Sequence, residues 1–211
     1  MKTTDLIELL AKDVRPAIPL NHVLAHSAIA GILITGIAFF ALIGFRPDII
    51  GALASGRFLF KFVVTLALAI SSATLLMKAG KPGVIMGTSK LHLLIPIALL
   101  ASAAVVEIVA MPPETWAARA VGHNAMNCLT IIPALSIGPL ACFIYGLKRG
   151  APEPPGMAGL IAGLTAAGIA ATFYASNCDD DSPLFVLLWY PIAVAAVALV
   201  GYVAGRRLLR W

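Results

Sequence analysis

"LAHSAIAGILITGIAFFALIGF", residues 24–45, carries no Asp, Glu, Lys or Arg. A helix rises about 1.5 Å per residue, so about 20 apolar residues cross the roughly 30 Å hydrocarbon core of a bilayer. The stretch therefore reads as a membrane span, and that reading decides the fold. Working outward, five more runs share the pattern, at about 58–77, 91–111, 128–147, 157–176 and 184–204. The composition agrees: 60% of the 211 residues are hydrophobic, 12% are charged, and the mean hydropathy is +0.95. A soluble domain carries about 25% charged residues. The expected fold is all-α: a polytopic six-helix transmembrane bundle, because helices satisfy their own backbone hydrogen bonds in lipid.

Charge sets the expected orientation. Lys2, Lys12, Arg15, Lys78, Lys81, Lys90, Lys148, Arg149, Arg206, Arg207 and Arg210 fall on one side of the spans. Only Arg46, Arg57, Lys61 and Arg119 fall on the other. By the positive-inside rule both termini lie in the cytoplasm, and loops 46–57, 112–127 and 177–183 face out. The net charge of +5 is thus a topology signal, and no direct nucleic-acid partner is expected. Two regions follow: a cytoplasmic amphipathic segment, 1–20, and a membrane domain, 21–211. The first 20 residues lack a signal-peptide pattern, so the first span reads as retained.

Small residues mark where helices meet. Gly159 and Gly163 make one GxxxG step, and Gly201 and Gly205 another. They serve packing within the chain or, on a second reading, a dimer face. Pro133, Pro139 and Pro191 lie inside spans as expected bends. Lys61 and Glu107 are the ionisable residues deepest in spans. They read either as an intramembrane ion pair or as two side chains reaching the interface separately. His22 and His26, one turn apart, read as interfacial, as does His92.

Topology also sorts the three cysteines. Cys128 and Cys178 share the outward side. Cys142 lies 14 residues further along the helix of Cys128, about 21 Å deeper, and reads as packing. The outer pair admits three readings: a disulfide, a soft-metal site completed by His123, Asp179, Asp180 and Asp181, or independent thiols. Asp180 or Asp181 also suits the N-cap of the last span.

At the N-terminus, Leu6, Leu9, Leu10 and Val14 recur at helical spacing in "TTDLIELLAKDVRPAIP", with Pro16 ending the run. The acidic and basic residues are balanced, with Asp13 and Arg15 among them, which favours a protein partner over a lipid surface. No nucleotide loop, HExxH or CxxC appears, so no enzyme chemistry and no cofactor are expected. The rival classes are a small transporter, for instance of metal ions, and a membrane thiol–disulfide oxidoreductase.

Taken together, "DLIELLAKDVRP" (5–16), "NCLTIIPALSIGPLA" (127–141), "LKRGAPEPP" (147–155), "NCDDDSPLFVLLWY" (177–190) and "GRRLLRW" (205–211) resemble the NrsF family, negative regulators of sigma F. The resemblance covers nearly the whole chain. It implies a six-span anti-sigma factor of the bacterial inner membrane. Such a protein holds an extracytoplasmic-function (ECF) sigma factor at its cytoplasmic surface and releases it under heavy-metal or oxidative stress. By the same resemblance Cys128 and Cys178 are the periplasmic sensing thiols; His123 and Asp179–Asp181, placed beside them by the residue reading alone, are candidate accessories. Segment 1–20, with Leu6, Leu9, Leu10, Asp13 and Arg15, contributes to sigma binding. Where the family often has Pro after the second cysteine, this chain has Asp179.

Overall fold

The structure, a computed structural model, describes Thr3, residues 19–81, Gly83 and residues 87–210. Leu6, Leu9, Leu10, Asp13 and Arg15 lie outside the described residues. Six long helices follow in order: α1 Leu20–Leu42, α2 Gly56–Ala79, α3 Leu94–Ala110, α4 Ala125–Leu147, α5 Pro155–Ala175 and α6 Pro183–Leu208. Short helices Ile49–Ala52 and Trp116–Val121 sit in the connections, and 3-10 turns precede α3 and Trp116. Among the described residues there is no strand. With the 3-10 turn Gly87–Leu93 counted with α3, all six segments are long and apolar enough to cross a membrane.

Local chemistry moves two boundaries from their expected places. α1 begins at Leu20, behind Pro19, and ends before Gly44, whose φ of 77° suits a glycine. The amides of Ile43 and Gly44 both donate to the Phe39 carbonyl at 2.9 Å, closing the last turn. α6 continues to Leu208 rather than stopping near 204, with Arg206 and Arg207 in its last turn, where cations favour the helix dipole. Prolines open α5 at Pro155 and α6 at Pro183, where a missing N–H costs nothing.

α5 is the centre of the bundle and packs on α6, α2 and α4. α1 lies on α4, and α3 rests against α6 and α2. Small residues set the spacing. A Cβ on Gly159 would stand 2.2 Å from the Gly201 carbonyl, and one on Gly163 2.7 Å from that of Val197. The two GxxxG steps therefore close on each other within one chain, so they do not form a dimer face. A Cβ on Gly168 would meet Ala69 of α2 at 2.8 Å, and one on Gly31 of α1 would meet Pro139 of α4 at 2.8 Å. Pro139 is thus a buried contact inside α4. Two main apolar clusters result. One holds Leu24, Leu76, Leu147 and Leu209; the other holds Phe39, Cys128, Tyr174, Cys178, Phe185 and Tyr190.

Candidate functional site: buried thiols under a clamped loop

The second cluster sits where α5 turns into α6. Both its thiols are free; Cys128 is 0% and Cys178 1% exposed. Cys128 is carried by the first turn of α4, and Cys178 by the loop 176–182. The aromatic rings of Tyr174 and Tyr190 lie beside each other, 6.2 Å apart, in the same cluster. Their hydroxyls have no hydrogen-bond partner among the described residues. Cys142, partly buried in α4, belongs to neither cluster.

Above the thiols, loop 176–182 is held from every side. Lys61, 1% exposed, donates to the Cys178 carbonyl at 2.7 Å and pairs with Asp181 at 2.6 Å. Arg46 pairs with Asp181 at 2.9 Å and grips Asp48 with two nitrogens at 2.6 and 2.7 Å. The ring of buried Phe58 lies under both cations, 5.6 Å from the Arg46 guanidinium and 5.4 Å from the Lys61 ammonium. Further along, Asp180 accepts the amides of His123 and Asn124, both at 2.8 Å. Asn124 also donates its side chain to Asp179. Gly122 makes room: with φ at 59°, it has no Cβ to collide with the Asp180 carboxylate 2.7 Å away.

Glu107, 3% exposed, ties the far end of the loop. It pairs with Arg119 at 2.9 Å, lies 3.8 Å from Arg57, and accepts from the Ser182 hydroxyl at 2.7 Å and the Leu184 amide at 3.1 Å. Lys61 and Glu107 neither pair with each other nor reach the interface separately, the two arrangements that the sequence suggests. Each is buried with a different partner, because the loop descends between α2 and α3 and brings its own carboxylate and hydroxyl. Ser182, directly before Pro183, caps α6 by accepting from the Leu184 amide at 3.2 Å. Asp180 and Asp181, the expected caps, are engaged elsewhere.

The soft-metal set, one of the three readings of the outer thiols, is not gathered among the described residues. Among the described residues no three His, Cys, Asp or Glu side chains converge as ligands. His123 is exposed, and the three aspartates are taken by Asn124, backbone amides, Arg46 and Lys61. His22 and His26 are exposed and joined by a contact from His26 Nδ1 to the His22 carbonyl at 2.6 Å. Electrostatics keep the Cys178 thiol quiet: burial pushes its pKa up, opposed by the nearby Lys61 charge. The reactive form of cysteine is the thiolate, so burial holds this thiol in its less reactive form. In the same network the hydrogen-bonded Arg46 holds the Asp48 carboxyl below its ordinary value.

Arg46, Arg119, Asn124 and Ser182 were not singled out as site residues from sequence. The "FRPD" and "DDSP" strings hint at local pairing and capping, but their long-range partners come only from the fold.

The fold and this end define an all-helical bundle of six membrane-length helices with two thiols sealed under one charged loop. The chain belongs to the NrsF family: residues 10–211 match the family described as negative regulator of sigma F. It is similar to the anti-sigma-F factor NrsF of Caulobacter vibrioides, 32% identical over the full length of both chains. A probable anti-sigma-F factor NrsF of Azospira oryzae is 28% identical, again over both full lengths. No solved structure matches the chain significantly.

Proposed function

We propose that this chain is an inner-membrane anti-sigma factor: it retains an ECF-type sigma factor at the cytoplasmic face and releases it when Cys128 and Cys178 are modified from the periplasm. The observation that carries the reading is the full-length family match combined with these two thiols in one buried cluster. Segment 1–20, with Leu6, Leu9, Leu10, Asp13 and Arg15, is the proposed sigma-binding element.

The geometry supplies a trigger. Cys178 is part of the chain that Lys61 and Arg46 hold by its carbonyl, at 2.7 and 3.4 Å. A soft metal takes thiolates and releases their protons; an oxidant joins the thiols and takes two electrons and two protons. Either product displaces Cys178 and strains the clamp. The loop joins α5 to α6, and these helices stay in backbone contact as far as Gly205 and Pro155 at the opposite end. A ligand shifts such an equilibrium only by its differential affinity, here for the open loop. His123 and the aspartates act as the lid rather than as ligands. The buried charges Lys61 and Glu107 are consumed by this lid, which weighs against a transport path.

The test is capture of the sigma factor from unstressed cells on the tagged full chain. The wild type should hold it and lose it on cadmium or diamide treatment. Cys128→Ser with Cys178→Ser should hold it under both. Failure of the intact chain to capture any sigma factor sinks the proposal.

A further inference from the structure

The charges are balanced very differently at the two ends of the bundle. Among the described residues, every ion pair lies at the thiol end: Arg46, Arg57, Lys61 and Arg119 share Asp48, Asp181 and Glu107. At the opposite end, Arg206, Arg207 and Arg210 are exposed, and no carboxylate of the described residues pairs with them. Arg206 and Arg210, with Tyr202, Met157 and residues 154–156, line a cleft of about 400 Å³.

The cleft is built rather than incidental. A Cβ on Gly205 would stand 2.5 Å from the Pro155 carbonyl, so the start of α5 is pressed against the last turns of α6. A Cβ on Gly156 would meet the Tyr202 ring at 2.7 Å and the Arg206 stem at 2.8 Å. The missing side chain seats both. The Arg206 guanidinium then lies over the Tyr202 ring, 5.7 Å from its centroid. The start of α5, which adds the positive end of its dipole, has no side-chain cap. Met157 lines the cleft, Val203 lies beside Tyr202, Arg206 and Arg210, and Leu199 stands one turn further along the same helix; all three are exposed apolar side chains.

A guanidinium held over the Tyr202 ring, with the exposed Arg210 beside it in the same cleft and apolar side chains next to it, at the end of two apolar helices, matches an amphiphile with an anionic head. We infer that this cleft binds the phosphate of an anionic phospholipid, with its acyl chains lying along Val203 and Leu199. The inference rests on the membrane reading proposed above. It places a lipid-sensitive site at the end proposed to face the sigma factor.

The experiment uses the full chain, reconstituted into phosphatidylcholine nanodiscs, then delipidated and titrated by native mass spectrometry. Phosphatidylglycerol should bind about tenfold tighter than phosphatidylcholine. Arg206→Gln with Arg210→Gln should abolish that preference, while Lys148→Gln with Arg149→Gln should keep it. Millimolar inorganic phosphate should not displace the lipid. No preference in the wild type, equal loss in both variant pairs, or displacement by phosphate overturns the site while leaving the spans intact. Failure to enter nanodiscs at all overturns the membrane reading with it.

Discussion

Lys61 shows why a single side chain can govern this protein. An ammonium with 1% exposure survives only if its charge is compensated, and here Asp181 pairs with it while the Cys178 carbonyl accepts its hydrogen bond. Lys61→Met should therefore cost about 2–3 kcal/mol, less than a fully isolated buried pair because Arg46 still holds Asp181. Detergent-phase unfolding of the single variants and of Lys61→Met with Asp181→Asn would measure it. Strictly additive costs would refute the pairing. The depth of Lys61 and Glu107 was legible in the sequence, since a charge inside an apolar run is conspicuous. Their partners were not: hydropathy gives depth along a helix but not which face meets which loop.

Among the elements, α5 and α6 act as one unit. Their contact is backbone on backbone, and its van der Waals attraction falls steeply with any added separation. Gly159→Ala puts a methyl 2.2 Å from the Gly201 carbonyl, so the helices must part. The expected loss is about 1–3 kcal/mol. Gly56→Ala, whose Cβ would meet nothing within 4 Å, should stay within about 0.5 kcal/mol of the wild type. Similar melting of the two variants in detergent would discard the close-packing account. The GxxxG steps were visible as sequence, but that they face each other follows only from the antiparallel register of α5 and α6.

For the whole molecule, the charge asymmetry acquires a structural reason. The four basic residues on the proposed outer side are the ones that carboxylates neutralise, while among the described residues Lys78, Lys81, Lys90, Lys148, Arg149, Arg206, Arg207 and Arg210 form no ion pair. Alkaline phosphatase fused after Met111 should be active, and fused after Arg149 inactive, in intact bacterial cells. The reverse pattern would invert the molecule and place the thiols in the cytoplasm.

By itself, the sequence determined that this chain is a bundle of six apolar helices, with two cysteines held apart from a third and short loops between spans. It could do so because helix length, apolar content and turn residues are local properties. The family resemblance was equally readable, since it rests on strings of neighbouring residues. Only the tertiary structure decided that Asp181 belongs to Lys61 and Arg46, that Ser182 rather than an aspartate caps α6, and that Asp179 and Asp180 are held by Asn124 and by backbone amides. Those choices depend on helix rotation and on how a loop folds back between helix ends. They set which polar groups can satisfy each other once water is excluded, and no single stretch of the chain contains that information.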